Sequence, residues 1–321
     1  MSKGRIALLI LAVIAVALSL FNASWLAGAP PGRMVLIANR GITHPLREGA
    51  AGPCAAVQIR PTEAQFIENT PASLRRALTV GAMGVAVDLR RTADNRMVAF
   101  RDETLDCRTD GTGPLAARTL AELKRLDAGY RYTSDGTTFP MRGWGRGAIP
   151  TAEELLYALP TGPVVFMMRG NEAADADALA AEFDRAGLAI DDARFGFIGA
   201  EPVLARLRTL APKAWTYNRA TGDACLSGYR ATGWLGLVPD ECRDATVSVV
   251  PGANLTLWGW PFRFLNRLSG VGGRAILAES HDDAGLPVGL ASTDRIQDIP
   301  MGFTGFVWIE DMANVGAAIR R

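Results

Sequence analysis

The sequence predicts an α/β chain of the TIM (β/α)8 barrel class, with long loops after strands 1 and 2 and one apolar helix added at the N-terminus. Three observations carry this reading. Eight short apolar, β-branched runs recur along the chain, amphipathic Ala- and Leu-rich stretches sit between them, and 321 residues are enough for one large barrel. The formal charge is +1, with 34 basic against 33 acidic residues and no long like-charge run, so the footprint of a nucleic-acid partner is missing. Lysine is confined to Lys3, Lys124 and Lys213 while Arg and Ala dominate, a bias of high-GC bacterial coding that says nothing about mechanism.

Lys3 and Arg5 precede an uncharged run from Ile6 to Phe21, which marks residues 1–30 as an export segment. Extended to Trp25 or Leu26, the run reaches the roughly 20 residues that span a bilayer, as a signal anchor would. Ala27-Gly28-Ala29 offers a signal-peptidase site instead, although Pro30 hinders the cut. The expected location is therefore the bacterial inner membrane, single-pass, with a barrel of residues 33–321 on the periplasmic side, or the periplasm or exterior after cleavage. Disulfides are permitted there, and four cysteines allow three connectivities. We expect Cys54 with Cys107 and Cys225 with Cys242, the second pair closing a short loop; buried free thiols are the alternative.

The strands follow in order: Met34 to Asn39, Val85 to Leu89, Val164 to Met168, Arg194 to Ile198, Ala214 to Asn218, Thr246 to Val250, Arg274 to Ala278 and Gly305 to Ile309. Helices are expected at Pro71 to Val80, Ala152 to Ala158, Ala173 to Ala186, Pro202 to Leu210, Ala224 to Thr232, Arg263 to Leu268, weakly near Thr293, and at Met312 to Arg320. The segments Arg40 to Glu68 and Thr104 to Pro150 exceed ordinary connections. In this fold class, loops that follow strands build the active-site mouth.

Four segments carry chemistry in a fixed order: Asn39-Arg40-Gly41, then Glu68-Asn69-Thr70-Pro71, then Val85-Ala86-Val87-Asp88 running on to Phe100-Arg101-Asp102, and finally Ile149-Pro150-Thr151. Their order and spacing from Val35 to about Arg169 resemble the glycerophosphodiester phosphodiesterase family, which reads His-Arg-Gly, Glu-Asn-Thr, Glu-x-Asp and His-Asp at these places. The resemblance implies a phosphoric diester hydrolase of glycerophospholipid metabolism, with two proton-transferring histidines, an arginine on the phosphate, and carboxylates around Ca²⁺ or Mg²⁺.

Carried onto this chain, the two histidine positions hold Asn39 and Arg101, neither of which exchanges a proton near neutral pH. Ala86 and Met167 stand at two carboxylate positions, leaving Asp88 and Glu68 as weak candidate ligands. No resident cofactor is therefore expected unless a rearranged site is active. Arg40, Arg101 and Arg169 fall at strand ends, either as a phosphate-binding set or as a network paired with Glu68, Asp88 and Asp102. Glu68 is otherwise a helix N-terminal acid.

His44 and His281 are the chain's histidines. His44 reads mainly as a solvent-facing loop residue that can swing inward, and His281, beside Asp282 and Asp283, as a solvated turn or else a His-Asp-Asp metal-binding cluster. The run Leu257-Trp258-Gly259-Trp260-Pro261-Phe262-Arg263-Phe264-Leu265 reads as rim packing, a pocket wall or a membrane contact. Three functions follow: a membrane-tethered family barrel that binds a glycerophosphodiester or anionic lipid head group with hydrolysis weak or lost, a pseudoenzyme; an active hydrolase using Asp88, Glu68, Asp102 and His44; or an interaction barrel.

Overall fold

All eight predicted strands form within two residues of their expected bounds in the computed structural model, which describes residues 3–47, 49–50, 54–61, 66–159, 161–252 and 256–319. In chain order the strands are β1 (Met34–Asn39), β2 (Gly84–Arg91), β3 (Met97–Ala99), β4 (Val164–Met168), β5 (Phe195–Ile198), β6 (Trp215–Tyr217), β7 (Thr246–Val249), β8 (Arg274–Leu277), β9 (Ser280–His281), β10 (Pro287–Val288) and β11 (Gly305–Ile309). The helices are α1 (Lys3–Phe21), α2 (Pro71–Thr79), α3 (Leu120–Leu123), α4 (Ala152–Ala158), α5 (Ala173–Ala186), α6 (Glu201–Leu210), α7 (Arg219–Thr232), α8 (Phe262–Gly270) and α9 (Ala317–Ile319). Parallel strands alternating with helices make this a TIM (β/α)8 barrel with one apolar N-terminal helix.

The chain divides into two units, Met1–Met34 with Arg219–Leu277 and Gln297–Phe306, and Val35–Asn218 with Ala278–Ile296 and Val307–Arg321. In the larger unit the strands run β6-β5-β4-β2-β1-β11. Thr70 caps α2 by accepting from the Ser73 backbone N–H, with Pro71 at the first helical position. Thr151 and Glu154 form a reciprocal capping box that starts α4. In the smaller unit β7 and β8 pair in parallel, and Cys225 bonds to Cys242.

Three features depart from the sequence reading. The hairpin of β2 with β3 and that of β9 with β10 were not expected; both are too short to show alternation. The helix expected from Ala224 begins at Arg219, because its buried stripe starts at Gly222 and continues through Cys225, Leu226 and Tyr229, and a glycine contributes no apolar signal. The last helix is a π turn at Met312–Gly316 followed by α9, and its expected end at Arg320 lies outside the described residues.

The two long segments build a second core of their own. Ala56, Ile59 and Ile67 from the first pack with Leu105, Leu115, Leu123, Tyr132 and Met141 from the second, and with Phe100 just before it. The Cys54–Cys107 disulfide ties one to the other across 53 residues of sequence. A surface excursion of this length needs such a buried cluster to hold one conformation, and this one forms a wall of the site.

Candidate functional site

Parallel register places Asn39 of β1 beside Ala86 of β2, and Asp88 of β2 beside Met167 of β4. Residues two apart on a strand share a face, so Asn39, Ala86, Asp88 and Met167 lie on one side of the sheet, all four buried. The chain turns sharply after β1. Arg40 has φ 61°, and Gly41 has φ 87°, where a Cβ would stand 2.7 Å from the Ser73 carbonyl carbon. The Arg40 carbonyl accepts from the Asn69 N–H at 2.9 Å. The Asn69 carboxamide in turn holds Asp88 twice: its Nδ2 donates to Asp88 Oδ2 at 3.2 Å, and its Oδ1 accepts from the Asp88 backbone N–H at 3.1 Å.

Arginines and carboxylates interlock above this layer. Arg169 donates from Nε to Asp88 Oδ1 at 2.6 Å and from Nη1 to Asp282 Oδ2 at 2.5 Å. Arg40 pairs with Glu310 and lies 3.7 Å from Glu68. Asn39 Nδ2 donates to the other Glu310 oxygen at 2.7 Å. Arg108 donates from Nε to Asp102 Oδ2 at 2.7 Å, and its Nη1 lies 3.1 Å from Glu68 and donates to the Tyr132 hydroxyl at 2.6 Å. Arg101 differs from these three: among the described residues its guanidinium has no hydrogen-bond or ion-pair partner.

The electrostatics follow from burial. Desolvation opposes charge on Asp88 and Glu68, yet Arg169 beside the first and Arg108 beside the second hold both carboxyls below their ordinary values. Burial pushes Arg40 down to about 10 despite Glu68. For Arg169, burial is outweighed by Asp88 and Asp282, which raise it. Asp88 and Glu68 are thus ionised at neutral pH.

These side chains line a cavity of about 360 Å³, within the size range of small-molecule sites. The rest of its lining includes Pro45, Leu46, Ile59, Pro287 and Val288. Asn39 Oδ1, Arg40 Nε and Arg108 Nη2 are buried there without a hydrogen-bond partner among the described residues. Arg101, which lines the cavity without a partner among the described residues, offers it a guanidinium suited to an anion.

His44 does not face solvent. It is buried and lines the cavity, its Nε2 lies 2.7 Å from the Phe66 carbonyl oxygen, and its ring meets Tyr132 edge-on. A carbonyl oxygen only accepts, so Nε2 carries the proton and Nδ1 is left basic. Desolvation lowers the His44 pKa and keeps the ring neutral at pH 7. His281 sits in the β9–β10 hairpin, 2.8 Å from the Tyr217 hydroxyl. Its neighbour Asp282 turns inward to Arg169 while its other oxygen accepts from the N–H groups of Ala284 and Leu286.

Residues 60–182 match the glycerophosphoryl diester phosphodiesterase family. That segment, under half of the chain, carries the resemblance to the family. A glycerophosphodiester phosphodiesterase of Caldanaerobacter subterraneus is 43% identical over 65 residues, 20% of this chain and 27% of that protein. A Mycobacterium tuberculosis protein is 28% identical over 127 residues, 40% of this chain and 42% of its own length. The aligned stretches thus span well under two thirds of these relatives. The crystal structure of the phosphodiesterase domain of the Mycobacterium protein superposes with a TM-score of 0.61 at 16% identity, covering 88% of this chain and 98% of that one. An Oleispira antarctica phosphodiesterase, solved in complex with the product sn-glycerol-3-phosphate, gives 0.59 at 18% identity, covering 89% and 97%. At these identities the superpositions speak for the fold.

For a glycerophosphoryl diester phosphodiesterase-family site, the donor set does not fit a divalent cation. Both Asp88 oxygens already accept from Arg169 and Asn69, Glu68 is paired with Arg108, and Ala86 and Met167 carry no oxygen. Among the described residues no group of three or more His, Cys, Asp or Glu side chains is placed to hold a metal. A guanidinium beside Asp88 supplies the positive charge that Asp88 requires when buried.

Of the three arginines at strand ends, Arg169 pairs with Asp88 and Arg40 lies within ion-pair distance of Glu68, whereas Asp102 pairs with Arg108. Three contributors escaped the sequence reading, Arg108, Tyr132 and Glu310, and Asp282, weighed there beside His281 as a metal ligand, instead meets Arg169. Glu310 directly follows β11, and a carboxylate just past the C-terminal end of a barrel strand is a position rule that would have found it. Arg108 and Tyr132 lie inside a long insertion whose folding no local pattern dictates.

Proposed function

We propose that this chain is a membrane-tethered member of the glycerophosphoryl diester phosphodiesterase family whose cavity binds a glycerophosphodiester or an anionic lipid head group, with hydrolysis by the family's metal route weak or lost. The observation that carries the reading is Arg101: a guanidinium without a protein partner on a cavity where neighbouring arginines are held by carboxylates. Its planar fork matches two phosphate oxygens. Arg40 and Arg169 then act mainly as the ionic frame. The replaced histidine positions, Asn39 and Arg101, supply no proton exchange.

Residues 1–30 serve in this proposal as the anchor and 33–321 as the barrel. Helix α1 is 19 residues long with a mean hydropathy of 2.5 and no buried side chain, and at ~1.5 Å per residue it covers roughly 28 Å. Lys3 and Arg5 put its N-terminus on the cytoplasmic side. Binding is tested with the purified chain in detergent: glycerol 3-phosphate at about 100 times its Kd stabilises by about 2.7 kcal/mol, a rise of several degrees in Tm. Arg101→Ala abolishes that rise. An unchanged Tm at every phosphate concentration overturns the binding reading and favours an interaction barrel.

A second reading rests on His44. A neutral imidazole with a basic Nδ1 on the cavity wall is equipped to accept a proton from water. That reading requires turnover, lost in His44→Gln.

A further inference from the structure

The segment that follows α1 is bound into the smaller unit rather than hanging from it. Asn22 Nδ2 donates to the Trp234 carbonyl at 2.9 Å, and Asn22 Oδ1 accepts from Arg267 Nη1 at 3.0 Å. The Phe262 N–H donates to Ser24 Oγ at 2.9 Å, and Asn266 Nδ2 donates to the Gly28 carbonyl at 2.8 Å. The Phe21 ring lies under the Arg267 guanidinium at 5.1 Å and near Arg263 at 5.8 Å. Cutting after Ala29 would remove all of these contacts from the folded unit.

Around this exit the surface is apolar and basic. Trp25, Leu26, Trp234, Leu235, Leu237 and Trp258 are all exposed, from 37% for Trp234 to 75% for Trp25. They belong to one neighbourhood: a Cβ on Gly236 would lie 2.8 Å from the Phe21 ring, and one on Gly259 3.3 Å from the Asn22 carbonyl oxygen. Trp258 Nε1 donates to the Arg230 carbonyl, and the Tyr229 hydroxyl to the Trp258 carbonyl. Arg267 donates to the Asn22 amide oxygen, the Tyr229 hydroxyl and the Gly233 carbonyl, and Arg263 to the Ala23 carbonyl. Among the described residues neither is paired with a carboxylate; Arg267 Nη2 is buried, so Arg263, half-buried, is the charge nearer solvent.

Exposed tryptophans and leucines beside unpaired arginines, set at the end of a membrane-length helix, match the chemistry of the bilayer interface, where indoles and guanidinium groups sit at the level of lipid phosphates. We infer that α1 is kept as an anchor and that the rim Trp25, Leu26, Trp234, Leu235, Leu237 and Trp258 rests in the headgroup layer of the same membrane. This inference relies on the tether proposed above and adds to it a docked lipid-facing surface. The continuity of the rim with the helix exit commits the surface to lipid rather than to a protein partner.

The test uses the full chain reconstituted into vesicles of phosphatidylethanolamine and phosphatidylglycerol, some carrying lipids brominated near the glycerol end of the acyl chain. Brominated lipid should quench a large part of the tryptophan fluorescence. Combining Trp25→Phe, Trp234→Phe and Trp258→Phe should remove most of that quenching, whereas Trp144→Phe, at an exposed tryptophan of the other unit, should leave it unchanged. Alkaline carbonate extraction separates the two claims. A chain released by carbonate overturns the tether and this inference together. A chain retained in the membrane but unquenched keeps the tether and overturns the docked surface.

Discussion

Arg101 and Arg169 occupy neighbouring strand ends yet answer to opposite physics. Arg169 neutralises Asp88, which is fully buried, so Arg169→Met leaves an unpaired buried carboxylate and should cost about 3–5 kcal/mol in a denaturant melt. Among the described residues Arg101 makes no hydrogen bond or ion pair and acts on Asp88 and Glu68 only through space, so Arg101→Ala should cost the unliganded melt far less than Arg169→Met while abolishing the phosphate-dependent rise in Tm. If Arg101→Ala destabilised as much as Arg169→Met, the guanidinium would be structural. The acid groups set a pH signature. Asp88 and Glu68 have depressed folded-state values, so their contribution is complete above their ordinary values of 3.8 and 4.5 and is lost as pH falls below them. His44 is also depressed, from 6.5: the unfolded chain takes its proton first, so stability begins to fall as pH drops below about 6.5. In His44→Gln the upper part of that decline should vanish from a pH series of thermal melts, and the lower part should persist.

At the scale of elements, the two long segments after β1 and β2 are one structure made of two pieces. In the chain-entropy account, a bridge closing 53 residues contributes roughly 4 kcal/mol, so joint Cys54→Ser and Cys107→Ser should lower stability by about that amount and loosen the Tyr132 wall of the cavity. Native-state hydrogen exchange would show the loss confined to residues around 54–60 and 100–149 if these segments unfold as a unit. The barrel's own strands and helices were readable because β1, β4 and α5 carry clear apolar runs. The second core was not, since Phe100, Leu105, Tyr132 and Met141 are spaced irregularly and meet only through tertiary contact. The same limit hid half of the site. That Asn39, Ala86, Arg101 and Met167 stand at the motif positions was legible from motif order alone, whereas the carboxylates that answer the arginines arrive from just past β11 and from the β9–β10 hairpin, more than a hundred residues away in sequence from Arg169 or Arg40.

At the scale of the whole molecule, the fold is that of the phosphodiesterases on which the chain superposes, and fold resemblance alone assigns no activity; the proposed function rests on the side chains of the mouth. Placing histidine at 39 and 101 and glutamate at 86 and 167 should not restore metal-dependent turnover while Arg169 still holds Asp88; adding Arg169→Lys should be required before any Ca²⁺ response appears. The most direct test of the central claim is alcohol release from glycerophosphocholine by the purified full chain, measured with Ca²⁺, with Mg²⁺ and with a chelator. The account predicts no metal-dependent release under conditions where glycerol 3-phosphate still raises Tm; turnover that rises with Ca²⁺ or Mg²⁺ and disappears with the chelator would contradict it.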